Sequence, residues 1–204
     1  MSLSRIRIVL TRIPDIWRWA RTDIFVRLAP FALVYATAYR LSNGASWLGL
    51  SVGDVHAQLV FAAAGVPLMF VAATAVQLWL TRRRGVLSVP AGLDDVFFQA
   101  GFYIVNGPIE EAFFRGLIQG GLGILWGAPT GFVVGTASYV LYHRLGQWSW
   151  VDTLATALAG VPLGLAFWLL PGPPSLLGIS LVHVAATCGF LGPGPYLLRR
   201  MRLL

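Results

Sequence analysis

The chain has 204 residues, one domain's worth, of which 57% are hydrophobic and only 11% charged, at a mean hydropathy of +0.72. Soluble domains carry charge on about a quarter of their residues, so a soluble globular fold is excluded. The net charge of +7 comes with no soluble basic surface or recognition element, which excludes a nucleic-acid partner. All 15 basic residues are arginine. They cluster at Arg5 to Arg27, Arg82 to Arg84 and Arg199 to Arg202, positions expected to face the cytoplasm by the positive-inside rule.

In chain order, the basic first ~27 residues read as an interfacial segment leading into a retained helix. The first span is expected at about 24–42, flanked by Arg27 and Arg40, and the second at about 55–80, with a kink at Pro67. His56 sits at the outer edge of that second span. A short apolar segment at about 92–105 opens with Asp94 and Asp95 and stops at "NGP", a strong helix breaker. Further helices are expected at about 108–126, 129–145, 150–170 and 174–191, joined by "WGAPT", "LGQWS" and "PGPPS". If 92–105 only dips into the membrane, six crossings leave Arg82 to Arg84, Arg144 and the tail arginines all on the cytoplasmic side. The expected fold is an all-α, polytopic transmembrane helical bundle, a single membrane domain over 1–204. It has about six spans plus a short re-entrant or interfacial helix, with both termini cytoplasmic. Small residues four apart (Ala112, Gly116, Gly120; Gly131, Gly135; Gly160, Gly164) predict close helix packing.

A charged side chain at mid-membrane costs on the order of 3 kcal/mol on insertion scales, so the few present should face the bundle interior. They are Glu110, Glu111, Arg115, His143 and His183; Glu110 and Glu111 are the chain's only glutamates. Asp152 follows Ser149 at a helix start and reads as a capping residue. Cys188 reads as a small packed residue. Glu111 and Arg115 are four apart in the favourable acid-first order, on one helix face. Glu110, about 100° round the helix, has no local partner. Tyr139 and His143, and His183 and Thr187, repeat the four-residue spacing on two later helices. A helix starting after "NGP" would carry Glu110 in its first turn, at a depth His143 and His183 can share. Their composition would also suit a three-ligand zinc site, but no HExxH spacing is present, so neither metal nor cofactor is expected.

The stretch "EEAFFR" resembles the EExxxR motif of the CAAX prenyl protease and bacteriocin-processing family, glutamate-dependent intramembrane proteases. "YVLYH" (Tyr139 to His143) is similar to that family's FxxxH motif, and "HVAAT" (His183 to Thr187) to its His followed four residues later by Asn or Asp. The resemblance covers about 92–191, in order and approximate spacing. It implies that Glu110, assisted by His143, activates water, that His183 with Thr187 stabilises the oxyanion, and that Glu111 and Arg115 orient the site. Tyr139 keeps the aromatic ring of its motif; Thr187 replaces a two-donor amide with one shorter hydroxyl.

The implied activity is that of a hydrolase, a glutamate-type peptidase of a bacterial inner (plasma) membrane. Its substrate would be a membrane-associated protein or peptide, lipidated or carrying a C-terminal sorting tail. The alternative is a catalytically inactive family member acting as a membrane binding, immunity or maturation partner, a reading that Thr187 favours.

Overall fold

The computed structural model describes residues 6–203, so Arg5 of the first basic cluster lies outside the described residues. The order is β1 (Arg7–Thr11), α1 (Ile13–Leu41), α2 (Val55–Arg84), β2 (Val86–Pro90), α3 (93–126), α4 (Ala128–Tyr142), α5 (Trp150–Leu169), α6 (Leu177–Phe190) and α7 (Pro193–Arg200). Almost everything is helical. The exception, which the composition concealed, is a two-stranded parallel sheet pairing Arg7–Thr11 with Val86–Pro90. The segments "RIVLT" and "VLSVP" are rich in β-branched residues. In β2 the alternation buries Leu87 and Val89. Parallel pairing needs a long crossover, supplied by α1 and α2 running out and back.

The first helix begins well before the expected span. Ile13–Leu41 is one 29-residue rod, interrupted only by a π-helical stretch at Ile24–Leu28. Arg27 therefore sits near the middle of a rod rather than at its edge. The second span also runs longer than expected, to Arg84, carrying Arg82, Arg83 and Arg84 in its last turn. There they oppose the negative end of the helix dipole. The helix runs on through Pro67, is capped by the Asp54 side chain accepting from the Ala57 amide at 2.9 Å, and ends at Gly85 with φ +70°.

The expected break at "NGP" does not occur. Residues 93–126 form one continuous helix whose section Ala112–Gly120 is π-helical. Tertiary packing overrides the local breaker signal. Asn106 and Gly107 are buried, and a Cβ on Gly107 would lie 2.9 Å from Val184 Cγ2 of α6. The Asn106 amide bonds forward to Glu110 instead of capping the backbone. No re-entrant helix therefore forms at 92–105, and Glu110 lies mid-helix rather than in a first turn.

Among the described residues, three helices are long and apolar enough to cross a bilayer, Ile13–Leu41, Val55–Arg84 and Trp150–Leu169. A fourth is reached if Leu177–Phe190 and Pro193–Arg200, bent by 43°, count as one span. Length and composition thus support an all-α membrane protein but not a count of six crossings. Part of the reason is that α3 carries Asp94, Asp95, Glu110, Glu111 and Arg115, and that α4 has only 15 residues.

The small-residue rows mark close contacts. A Cβ on Gly135 would lie 2.7 Å from Gln119 Cβ, and one on Gly164 2.7 Å from Thr136 Oγ1, so α3, α4 and α5 pack nearly backbone to backbone. Gly116 and Gly120 instead face the carbonyls of Leu48 and Trp47, in a 3₁₀ turn at Ser46–Leu48.

One carboxylate ties two helix starts together. Asp95 Oδ2 accepts from the Gly92 amide at 2.9 Å, at the head of α3. Its Oδ1 accepts from the Ile13 amide at 2.7 Å, at the head of α1. Loss of a helix cap costs about 0.5–2 kcal/mol. Asp95→Ala should therefore lower stability by about 1–2 kcal/mol, and Asp94→Ala by much less, in denaturant unfolding of the detergent-solubilised protein.

Candidate active site

Glu111 is fully buried and accepts two hydrogen bonds. Its Oε2 takes the Arg115 Nε–H at 3.3 Å, and its Oε1 takes the His183 Nδ1–H, from α6, at 2.6 Å. The pairing with Arg115 is the one its spacing predicts. Arg115 is itself fully buried and extends its fork to two further helices, Nη1 to Thr136 Oγ1 at 3.2 Å and Nη2 to the Gly160 carbonyl at 2.9 Å. Its guanidinium carbon lies 5.0 Å from the centroid of the Tyr139 ring. The pair is thus desolvated and fully hydrogen-bonded, the condition under which a buried charge pair is tolerated.

Glu110 is buried beside it, but it is not unpartnered as the local spacing suggests. Its Oε1 accepts from Arg27 Nη1 of α1 and from Asn106 Nδ2 at 2.9 Å. Its Oε2 is buried without a hydrogen-bond partner and lies 3.6 Å from His183 Nε2. Arg27 is gripped in turn by Asp23, through Nε at 2.7 Å and through Nη2, and its Nη1 also reaches Tyr142 Oη at 2.5 Å.

The two histidines are oriented by what their Nδ1 atoms meet. His143, in the 3₁₀ turn His143–Gly146 after α4, has Nδ1 2.8 Å from the Tyr139 carbonyl oxygen. A carbonyl only accepts, so Nδ1 carries the proton and Nε2 of the neutral ring keeps its lone pair. The ring is wedged between Tyr142 and Trp148, with centroids at 4.3 and 5.1 Å. For His183 the carboxylate of Glu111 fixes the proton on Nδ1, leaving Nε2 facing Glu110 and, at 3.4 Å, the Tyr139 hydroxyl. That hydroxyl exists because Tyr139 stands where the motif it resembles has Phe.

The fold therefore brings together Glu110, Glu111, Arg115, Tyr139 and His183, with His143 against the rings of Tyr139 and Tyr142. Thr187 lies one turn beyond His183 on α6 and makes no side-chain hydrogen bond among the described residues. Also among the described residues, no group of three or more His, Cys, Asp or Glu side chains is arranged to hold a metal ion.

Sequence reading missed Arg27, Asn106 and Tyr142. Asn106 stands four residues before Glu110 on the same helix, a spacing that could have revealed it. Arg27 offered no such signal, because its contact spans 83 residues of sequence.

An apolar groove of about 1020 Å³ lies between α2, α3 and α6, with Pro108, Ala112 and Val184 in its wall. Compared with known proteins, residues 92–188 match the family described as type II CAAX prenyl endopeptidase Rce1-like. No curated protein and no solved structure matches the chain.

Removing one partner of a buried pair strands the other charge, at a cost of about 3–5 kcal/mol. Glu111→Gln should destabilise the protein by that order in detergent unfolding. Adding Arg115→Met should cost less than the sum of the two single changes, giving a coupling energy above about 1 kcal/mol.

Proposed function

The chain belongs to the CAAX protease family, and on that premise we propose that it is a glutamate-type intramembrane endopeptidase. It would cleave a membrane-associated peptide or protein tail from the cytoplasmic side of a bacterial inner membrane, with six crossings and both termini cytoplasmic. The observation that carries this reading is Glu110 Oε2, a buried carboxylate oxygen without a hydrogen-bond partner, 3.6 Å from His183 Nε2. An acceptor held free in an apolar site is suited to receive a proton from water.

In the proposed reaction a water lies between Glu110 Oε2 and His143 Nε2. Its oxygen bonds to the scissile carbonyl carbon as one of its protons passes to Glu110. The developing oxyanion accepts a hydrogen bond from His183 Nε2 when that ring is doubly protonated, with the Glu111 carboxylate at Nδ1 balancing the charge. Collapse breaks the C–N bond, and the proton held by Glu110 leaves with the amine. Arg115 and Tyr139 fix Glu111 and His183, and Thr187 would add one hydroxyl near the oxyanion. This assignment needs no metal.

A second reading, an inactive family member acting through partner contact, is favoured by Thr187, whose hydroxyl engages nothing in the site.

Cleavage of a library of C-terminal tail peptides by the purified protein decides between the two. Glu110→Gln and His143→Ala should each reduce turnover by at least about 100-fold, the order expected for loss of general-base action. Thr187→Asn should raise it. Equal turnover by wild type and Glu110→Gln would overturn the proposed mechanism. The absence of any wild-type cleavage, with binding retained, would favour the second reading.

A further inference from the structure

The two oxygens of Glu110 live in different surroundings. Oε1 is saturated by Arg27 Nη1 and by Asn106 Nδ2 at 2.9 Å. Oε2 accepts nothing, although it is buried. A glutamate carboxylate can turn about its last bond and exchange its oxygens, so this division has to be imposed from outside the residue. One anchor, Asn106, lies a turn earlier on α3. The other comes from α1, outside the segment 92–188 that matches the family.

Arg27 is unusually well held for an arginine of an apolar rod. Two of its nitrogens grip Asp23, a turn earlier on α1, and the third serves both Glu110 and Tyr142 Oη. That fork fixes the guanidinium plane, and with it the direction from which Oε1 is approached. The π-helical stretch Ile24–Leu28 carries Arg27. Four residues on, Phe31 stacks on Phe113, within the α3 π-helical stretch, at a centroid distance of 3.9 Å. The two helices are thus locked together beside the carboxylate that Arg27 holds.

We propose that Arg27, held by Asp23 and assisted by Asn106, is a positioning residue for hydrolysis: it pins Oε1 of Glu110 so that Oε2 is the oxygen presented to water. This rests on the peptidase reading of Glu110. Without Arg27, Glu110 keeps only Asn106 on Oε1, with His183 Nε2 3.6 Å from Oε2, and a carboxylate that turns toward that ring when it is doubly protonated would consume both groups.

The test uses the full-length protein in detergent and a quenched-fluorescent peptide chosen from the tail library because wild type cleaves it. Arg27→Met should lower kcat by about 100-fold, the scale of a misplacement of about 1 Å, with KM within about threefold of wild type. Arg27→Lys, which keeps a cation without the fork, should recover about a tenfold share of that loss, and Asn106→Leu should lower kcat less than Arg27→Met. Thermal melts establish that each variant is folded. If Arg27→Met does not fold, the kcat and KM of Arg27→Lys and Asn106→Leu carry the test, and wild-type kcat in both would overturn the proposal.

In folded Arg27→Met, an unchanged kcat would make Arg27 a bystander, and a raised kcat would make it an inhibitory latch; either overturns the proposal. No recovery in folded Arg27→Lys would reduce Arg27 to packing and overturn it as well. Glu110→Gln, run in parallel, separates the two levels. If Glu110→Gln cleaves like wild type, the reading of Glu110 falls and takes the positioning role with it. If Glu110→Gln is inactive while Arg27→Met is not impaired, only the role of Arg27 falls.

Discussion

The carboxylate of Glu111 is the contact on which the interior is built. It receives a proton donor from α6 and a guanidinium from its own helix, and that guanidinium reaches α4 and α5. Four helices therefore meet at one ion pair in a medium where charges are neither hydrated nor screened. In lipid, helices gain little from apolar contact with one another, so polar contacts and close packing must hold them in place. The glycines of α4 and α5 supply the packing, and the Glu111 network supplies the direction.

Glu110 is held by the opposite logic. Its neighbour is satisfied on both oxygens, whereas Glu110 is satisfied on one and left open on the other. Adjacent residues on one helix thus play a structural part and a chemically available part. The difference arises because 100° of rotation aims Glu111 at His183 of α6 and at Arg115, and Glu110 at Arg27 of α1. α1 is π-helical where Arg27 leaves it, and α3 turns π-helical at Ala112, two residues after Glu110. Such segments recur at functional sites because they re-aim side chains out of α-helical phase.

Much of this was legible in the chain. The helical membrane class followed from composition, and the Glu111–Arg115 pair from a four-residue spacing. The gathering of Glu110, Glu111, Tyr139 and His183 followed from three short motifs in order. What was hidden was whatever depends on contacts distant in sequence. "NGP" carries a true local breaker signal, but burial of Gly107 against Val184 and the forward hydrogen bond of Asn106 outweigh it. Arg27 looks like a boundary arginine because nothing nearby in sequence says that a glutamate 83 residues later will claim it. The strands were hidden for the same reason, since five residues of β-branched character mean little until a second such segment lies alongside.

That small sheet has a further consequence for the molecule. The chain leaves β1 at Thr11, traverses α1 and α2, and comes back to pair at Val86, with Arg7 opposite Val86 and Thr11 opposite Pro90. The pairing works as a depth gauge for the whole first hairpin. One step of strand register moves the chain by about 3.3 Å, as much as the full length of the contact between a guanidinium and a carboxylate. Ten paired backbone positions in the two strands therefore help decide whether an arginine midway along α1 arrives level with its glutamate.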